Sequence, residues 1–316
     1  HLIAGPIVRF RDVIGDLLKP RISSALFAAG ITRFAHGLFK KVVIADSIAP
    51  IADGIFAMPP DQIDFVSAWI GATAYALQIY FDFSGYSDMA IGMAAMFGIK
   101  FAENFERPYA SRSITEFWRR WHMTLSSWFR DYVYVPLGGN RGGTLATYRN
   151  LLIVFVMTGI WHGAAWTFLV WGLYHGAFLI LERLVFRTPL TAMNHAAWRF
   201  VYCLPVVIFG WVVFRAENIG DAATMWAAML NPLDASSANA VFAALEGLTP
   251  VNVAAFVLGC GIFLAPSRLS LGGRLMEQSE SGLRQAANVA YTSAALAIAG
   301  ASALTGSYSP FLYFTF

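Results

Sequence analysis

Charge is what this sequence is short of. Of its 316 residues only 13% are Asp, Glu, Lys or Arg, while 57% are hydrophobic and the mean hydropathy is +0.56. A soluble domain carries roughly twice that share of charge, so the composition excludes an ordinary soluble globular protein and points to a polytopic membrane protein. Cysteine is nearly absent. Cys203 and Cys260 stand alone in apolar runs, with no CxxC and no Cys/His cluster, so both read as buried small hydrophobes and a structural zinc site has no support. HExxH, the Rossmann glycine pattern, the Gly-Lys-Ser/Thr ending of a P-loop and the Gly-x-Ser-x-Gly elbow are all missing, and the metal, dinucleotide and serine-hydrolase chemistries they carry go with them. No fixed-period repeat, soluble domain or signal peptide stands out. The net charge of +3 is dispersed between apolar runs, which reads as membrane topology and not as a nucleic-acid stripe.

The apolar runs set the expected order of crossings. Ile22–Asp46 is helix-like but carries Arg33, Lys40 and Lys41, and reads as an interfacial helix or a short span ending in a basic cluster. Asp64–Phe81 is long enough to cross, and Met89–Ile99 is apolar again. Between them Tyr80–Asp88 reads as a polar turn, in which Asp82 and Asp88 are either solvated or, below the headgroups, paired or functional. Residues 1–46 and 100–150 are basic, hence expected on the cytoplasmic side; the segments 64–81 and 86–99 supply the even number of crossings this requires. Further spans are expected over 164–181, 198–214 (with a kink at Pro205), 251–265 and 286–304. A short surface helix is expected at 219–230, an exoplasmic loop at 231–250, an inside segment at 267–284, and an interfacial aromatic tail at 310–316.

Two histidines, each directly after a tryptophan, lie between Asn104 and Gly163. Ile114, Phe117, Trp118, Trp121, Leu125, Trp128, Phe129 and Tyr132 recur at three and four, which predicts an interfacial helix over 114–132 with an apolar and a basic face. His122 falls on the seam, with Trp118 one turn before and Ser126 one turn after. The apolar run Thr147–Ile160 is only about 14 residues, near 21 Å, so His162 is expected at membrane depth near a bend flanked by Gly159 and Gly163. An ionisable residue there is a functional-site hypothesis, set against a neutral imidazole bonded to a neighbouring helix. The loop Pro136–Gly143 is either a flexible turn or an anion site built from backbone N–H groups and Arg141. His175 reads as structural; His36 and His195 read as incidental. A desolvated neutral imidazole can act as a base on a hydroxyl or carry an acyl group as a nucleophile.

The ordered motifs Asn104-Phe105, Pro108-Tyr109, Phe117–Leu125, Arg130-Asp131-Tyr132, Pro136–Arg141 and Trp161-His162-Gly163 resemble the membrane-bound O-acyltransferase family, in particular its bacterial alginate O-acetyltransferase branch. Leu2–Pro6, Tyr80–Asp88 and the aromatic C-terminus are similar to that branch too. The resemblance implies an all-α polytopic fold, a ring of tilted helices with interfacial and re-entrant helices around a central funnel and tunnel. It implies one membrane-embedded domain over 1–316, with a group of N-terminal helices missing from the chain. His122 and His162 are then the catalytic pair, with Trp121, Trp161, Ser126, Asp82 and Asp131 as candidate supports. Arg119, Arg120, Asn140 and Arg141 are candidates for the donor phosphates. The implied donor is acetyl-CoA, with no bound cofactor and no metal. The implied partners are periplasmic acyl-accepting proteins of a polysaccharide-modification complex in the bacterial inner membrane, besides membrane lipid, with no nucleic acid. The acceptor stays open among alginate, cellulose, another exopolysaccharide and peptidoglycan. A transporter or channel, or a non-catalytic secretion scaffold, are the rival readings; no inverted repeat supports the first.

Overall fold

The computed structural model describes residues 5–186, 192–193, 195–234, 246–265 and 282–305. Every regular element among them is helical. A short α1 (Phe10–Leu18) precedes a long hairpin. Its first arm is α2 (Ser24–Phe39), one π-helical turn (Lys40–Ala45) and α3 (Asp46–Phe56); its second is α4 (Phe65–Met96). The starts are capped as the sequence permits: Ser23 accepts the Leu26 N–H, and Asp64 and Ser67 form a reciprocal capping box.

Helix α4 is 32 residues without a break, about 48 Å at 1.5 Å per residue and longer than the roughly 30 Å hydrocarbon core. The polar turn expected at Tyr80–Asp88 is therefore absent, and the two crossings expected from 64–81 and 86–99 are one helix. The helix arm packed beside it is 24–56, which the sequence alone places in the interface or ends early. The reason is ion pairing. Lys41 lies 2.9 Å from the Asp82 carboxylate, and Arg33 and Lys40 lie 2.5 and 2.9 Å from that of Asp88. Cations that look like topology signals are consumed inside the hairpin, and the carboxylates that suggested a wet turn are the groups that hold them. Backbones approach closely where glycines face each other. A Cβ on Gly37 would lie 2.4 Å from the Gly85 carbonyl oxygen, and one on Gly92 2.6 Å from that of Gly30. Both pairs recur at the same heptad interval on antiparallel helices, the small-residue contact typical of membrane helices.

Helices α7 (Gly143–His162) and α8 (Trp166–Val185) form a second tight hairpin. At 20 residues α7 reaches about 30 Å, longer than expected from 147–160, because its first turns are polar and escape an apolar count. One of those polar residues, Asn150, is buried and donates its amide to the carbonyls of Leu137 and Gly139 at 3.1 Å each. The glycine-rich loop is thus pinned to α7 and is not a free turn. Between the two hairpins come α5 (Ile114–Arg120), α6 (Met123–Phe129) and a π-helical turn, Arg130–Tyr134.

A further π-helical turn, Arg199–Cys203, runs into α9 (Leu204–Arg215). Pro205 sits in the first turn of α9, directly after the π-helical turn. Then follow α10 (Ile219–Leu230), α11 (Pro250–Leu264) and α12 (Gly282–Thr305). The short helix expected at 219–230 is α10; α11 has 15 residues, fewer than a crossing needs. By length and apolarity three helices among the described residues qualify as crossings: 143–162, 166–185 and 285–304. The 267–284 segment and the 310–316 tail lie almost wholly outside the described residues, as does most of the 231–250 loop. The core between α4, α5, α8 and α9 is aromatic, with Tyr75, Phe117, Trp171 and Trp211 fully buried.

Candidate active site

The expected helix over 114–132 is interrupted at one residue, His122. The Trp121 N–H closes α5 on Phe117, and His122 then takes a left-handed backbone conformation with φ 44° before α6 starts at Met123. Such a conformation costs a non-glycine residue about 1–2 kcal/mol and persists only when surroundings enforce it. The enforcement comes from the segment 104–106. Glu106 N–H donates to the Arg120 carbonyl, and Met123 N–H donates to the Asn104 carbonyl, both at 2.9 Å. The Asn104 side-chain oxygen also accepts from Thr124 N–H and Thr124 Oγ1, so Asn104 caps α6 from outside. Ser126, expected to face His122, instead donates to the Trp118 carbonyl and ties α6 back to α5. The start of α5 is capped by a residue that composition does not flag. The buried Glu182 of α8 accepts from the Ile114 and Thr115 N–H groups and from Thr115 Oγ1, a carboxylate at the positive end of a helix.

His122 is 1% exposed. Its ring meets Phe83 edge to face at 4.7 Å, and Nδ1 lies 3.0 Å from Asn104 Oδ1. His122 lies between two short helices, outside the spanning ones, and burial pushes its pKa well below the ordinary value, so the imidazole is neutral. His162 is the last residue of α7, where Gly163 ends the helix. Its ring packs against Trp171 at 5.0 Å and Phe214 at 5.1 Å. Trp161 joins the two histidines: its ring lies 6.2 Å from that of His122 and 5.0 Å from that of His162. Two residues forty apart in sequence thus flank one indole. His175 is fully buried between Trp118 and Trp171, part of the aromatic wall behind His162.

The other candidates scatter. Trp121 is buried against Trp211 and Phe105 at 4.7 and 5.0 Å. Asp82 is engaged by Lys41 on the first hairpin. Asp131 is held by Arg9, Arg11 and Arg130, and hydrogen bonds from Arg130 and Arg9 hold its carboxyl well below the usual carboxylate range; like Asp82 it pairs away from the imidazoles. Arg120 pairs with Glu116 at 2.7 Å, while Arg119 and Arg141 are exposed. Asn140 accepts from the Tyr134 hydroxyl and from Arg183. His36, read as incidental, instead bonds Tyr291 of α12 through Nδ1 and faces Asp88 at 3.8 Å. Among the described residues no group of His, Cys, Asp and Glu could hold a metal ion.

A family model described as MBOAT, the membrane-bound O-acyltransferase family, matches residues 1–220. A protein of Azotobacter vinelandii named "Probable alginate O-acetylase" is 52% identical over 231 residues, which is 73% of this chain and 46% of that protein. One of the same name from Pseudomonas putida is 42% identical across the whole chain and 67% of its own length. A peptidoglycan O-acetyltransferase of Helicobacter pylori is 41% identical over 80% of the chain and 49% of that protein. The chain therefore spans about half to two thirds of the length of these relatives.

Proposed function

Because the chain belongs to the membrane-bound O-acyltransferase family, we propose that it is the membrane-embedded catalytic unit of an O-acetyltransferase. It takes acetyl from cytoplasmic acetyl-CoA and delivers it across the bacterial inner membrane for O-acetylation of an exported polysaccharide such as alginate. The observation that carries this is the pairing of His122 and His162 about the half-exposed Trp161 in an aromatic site. A neutral imidazole there removes the proton of an acceptor hydroxyl as its oxygen attacks the thioester carbonyl. The C–S bond breaks, and the departing CoA thiolate takes up the proton. The exposed Arg119 and Arg141 are the donor-side cations in this reading, and periplasmic acyl-accepting proteins receive the group. The names of the relatives, one acting on alginate and one on peptidoglycan, support a cell-surface polymer as the final acceptor.

The test is acetyl transfer from labelled acetyl-CoA by the full-length protein in membranes. His122→Ala and His162→Ala are each expected to lose at least about 100-fold in rate, the usual worth of a general base, at unchanged membrane abundance. Full activity in both variants would remove the site assignment, and solute flux without acetyl transfer would favour a transporter.

A further inference from the structure

We infer that Asn104 is a positioning residue that locks the proton of His122 onto Nδ1 and leaves Nε2 as the bare base of the site. The inference rests on the acyl-transfer reading and goes on to name which histidine nitrogen does the proton transfer. It follows from a chain of hydrogen bonds whose directions are forced.

Asn104 is fully buried, and its two amide ends face different partners. One end faces the Thr124 backbone N–H at 3.3 Å. A backbone N–H can only donate, so that end is the carbonyl oxygen. The other end then donates, and it meets Ser87 Oγ of α4 at 3.1 Å. Thr124 Oγ1 agrees with this assignment. It accepts the Ile7 N–H at 2.9 Å, and its own proton goes to Asn104 Oδ1 at 2.8 Å. The same oxygen lies 3.0 Å from His122 Nδ1. An oxygen already fixed as acceptor cannot give a proton, so Nδ1 must carry one. In a neutral imidazole Nε2 is then a lone pair. Nε2 of His122 is buried and has no hydrogen-bond partner among the described residues, which is costly unless a substrate proton is meant to meet it. The residues that set this tautomer, Ile7, Ser87, Asn104 and Thr124, come from four separate stretches, so the arrangement is tertiary and not local.

Among the described residues the titratable group that faces His122 is His162, at the end of α7 across Trp161; α4 and the 104–106 segment present the uncharged Phe83 and Phe105. A charge introduced at position 104 should therefore dominate the titration of His122.

Three measurements on the full-length protein in membranes test this. Nitrogen-15 solid-state NMR of labelled histidine, assigned with His122→Ala, should show His122 of the wild type as the Nδ1–H tautomer, and Asn104→Ala should shift it to a mixture or to Nε2–H. Asn104→Ala should lower kcat about 100-fold or more while KM for acetyl-CoA moves less than about threefold, as expected when a base loses its orientation. Asn104→Asp keeps an acceptor on Nδ1 and adds a buried carboxylate, so the acid limb of the kcat/KM profile should move to higher pH by about one unit or more. A wild-type Nε2–H tautomer would overturn the inference, as would an Asn104→Asp profile that superimposes on the wild type. If Asn104→Ala fails to fold, the wild-type spectrum and Asn104→Asp still decide. If the wild type transfers no acetyl, the functional reading falls while the spectrum still judges Asn104.

Discussion

At the scale of single residues the strongest constraint is charge held away from water. Asp88 balances two buried cations, Arg33 and Lys40, and Arg33 reaches on to Glu103 at 2.7 Å. Removing one member of such a group leaves the others without a counter-charge, which costs about 3–5 kcal/mol when the pair is buried. Asp88→Asn should therefore lower the thermal unfolding temperature in detergent sharply. Asp53→Asn, which breaks the half-exposed pair with Arg215 at 2.8 Å, should cost under about 1 kcal/mol. Comparable shifts for the two variants would mean that the Asp88 group is solvated after all. The same residues explain why the first hairpin was hard to read. Lys40, Lys41, Asp82 and Asp88 are visible as charges in an apolar context, but Lys41 pairs with Asp82 and Lys40 with Asp88 across more than forty positions, and no local pattern reports it.

At the scale of elements, α7 and α8 position His162, and they do so through two glycines. A Cβ on Gly159 would come within 2.4 Å of the Phe168 carbonyl oxygen, and one on Gly172 within 2.3 Å of that of Phe155. Gly172→Ala must push the helices apart, and a displacement near 1 Å at a catalytic group can cost about 100-fold in rate. The expected result is a loss of that order in acetyl transfer. Gly261→Ala in α11 should leave activity unchanged, because a Cβ there meets open space. Equal activity in the two variants would show that the hairpin does not hold the site. The period of three and four found the buried residues Ile114, Phe117, Trp118, Trp121, Leu125 and Phe129, while Trp128 and Tyr132 of the same stripe are exposed. It flagged His122, and the length of the apolar run before His162 flagged that residue. It could not find the joint at His122, since Asn104 and Glu106 make it from outside the helix. Glu182 was missed for a similar reason: a lone carboxylate near the end of an apolar run looks like a solvated helix end, and only the fold brings it to the start of α5.

At the scale of the whole molecule the question is which face meets the donor. The Asp234 carbonyl accepts the Phe65 N–H, so residues around 234 share a face with the start of α4. Lys100 N–H bonds Asp16, Ile7 N–H bonds Thr124 and Arg9 pairs with Asp131, so the N-terminal segment and residues 100–131 gather at the other end of α4. That end carries the arginines, so by the positive-inside rule it is expected in the cytoplasm. The native cysteines offer a quiet background: Cys203 is buried and Cys260 partly so. Single cysteines at Leu145, 82% exposed beside the glycine-rich loop, and at Leu233, 94% exposed near Asp234, then report the two faces. With a membrane-impermeant maleimide on cells whose outer membrane is permeabilised, Leu233→Cys should label and Leu145→Cys should not until the inner membrane is opened. The reverse pattern would put Arg119 and Arg141 on the exoplasmic side, where no acetyl-CoA pool exists to meet them. The donor would then have to reach His122 from the α3–α10 end of the molecule. Arg215, next along the chain from the Phe214 that touches His162, lines a cavity of about 370 Å³ there with Asp53, Glu217 and Asp221. The three carboxylates would repel CoA phosphates, so a reversed topology would weaken the acetyl-CoA assignment itself.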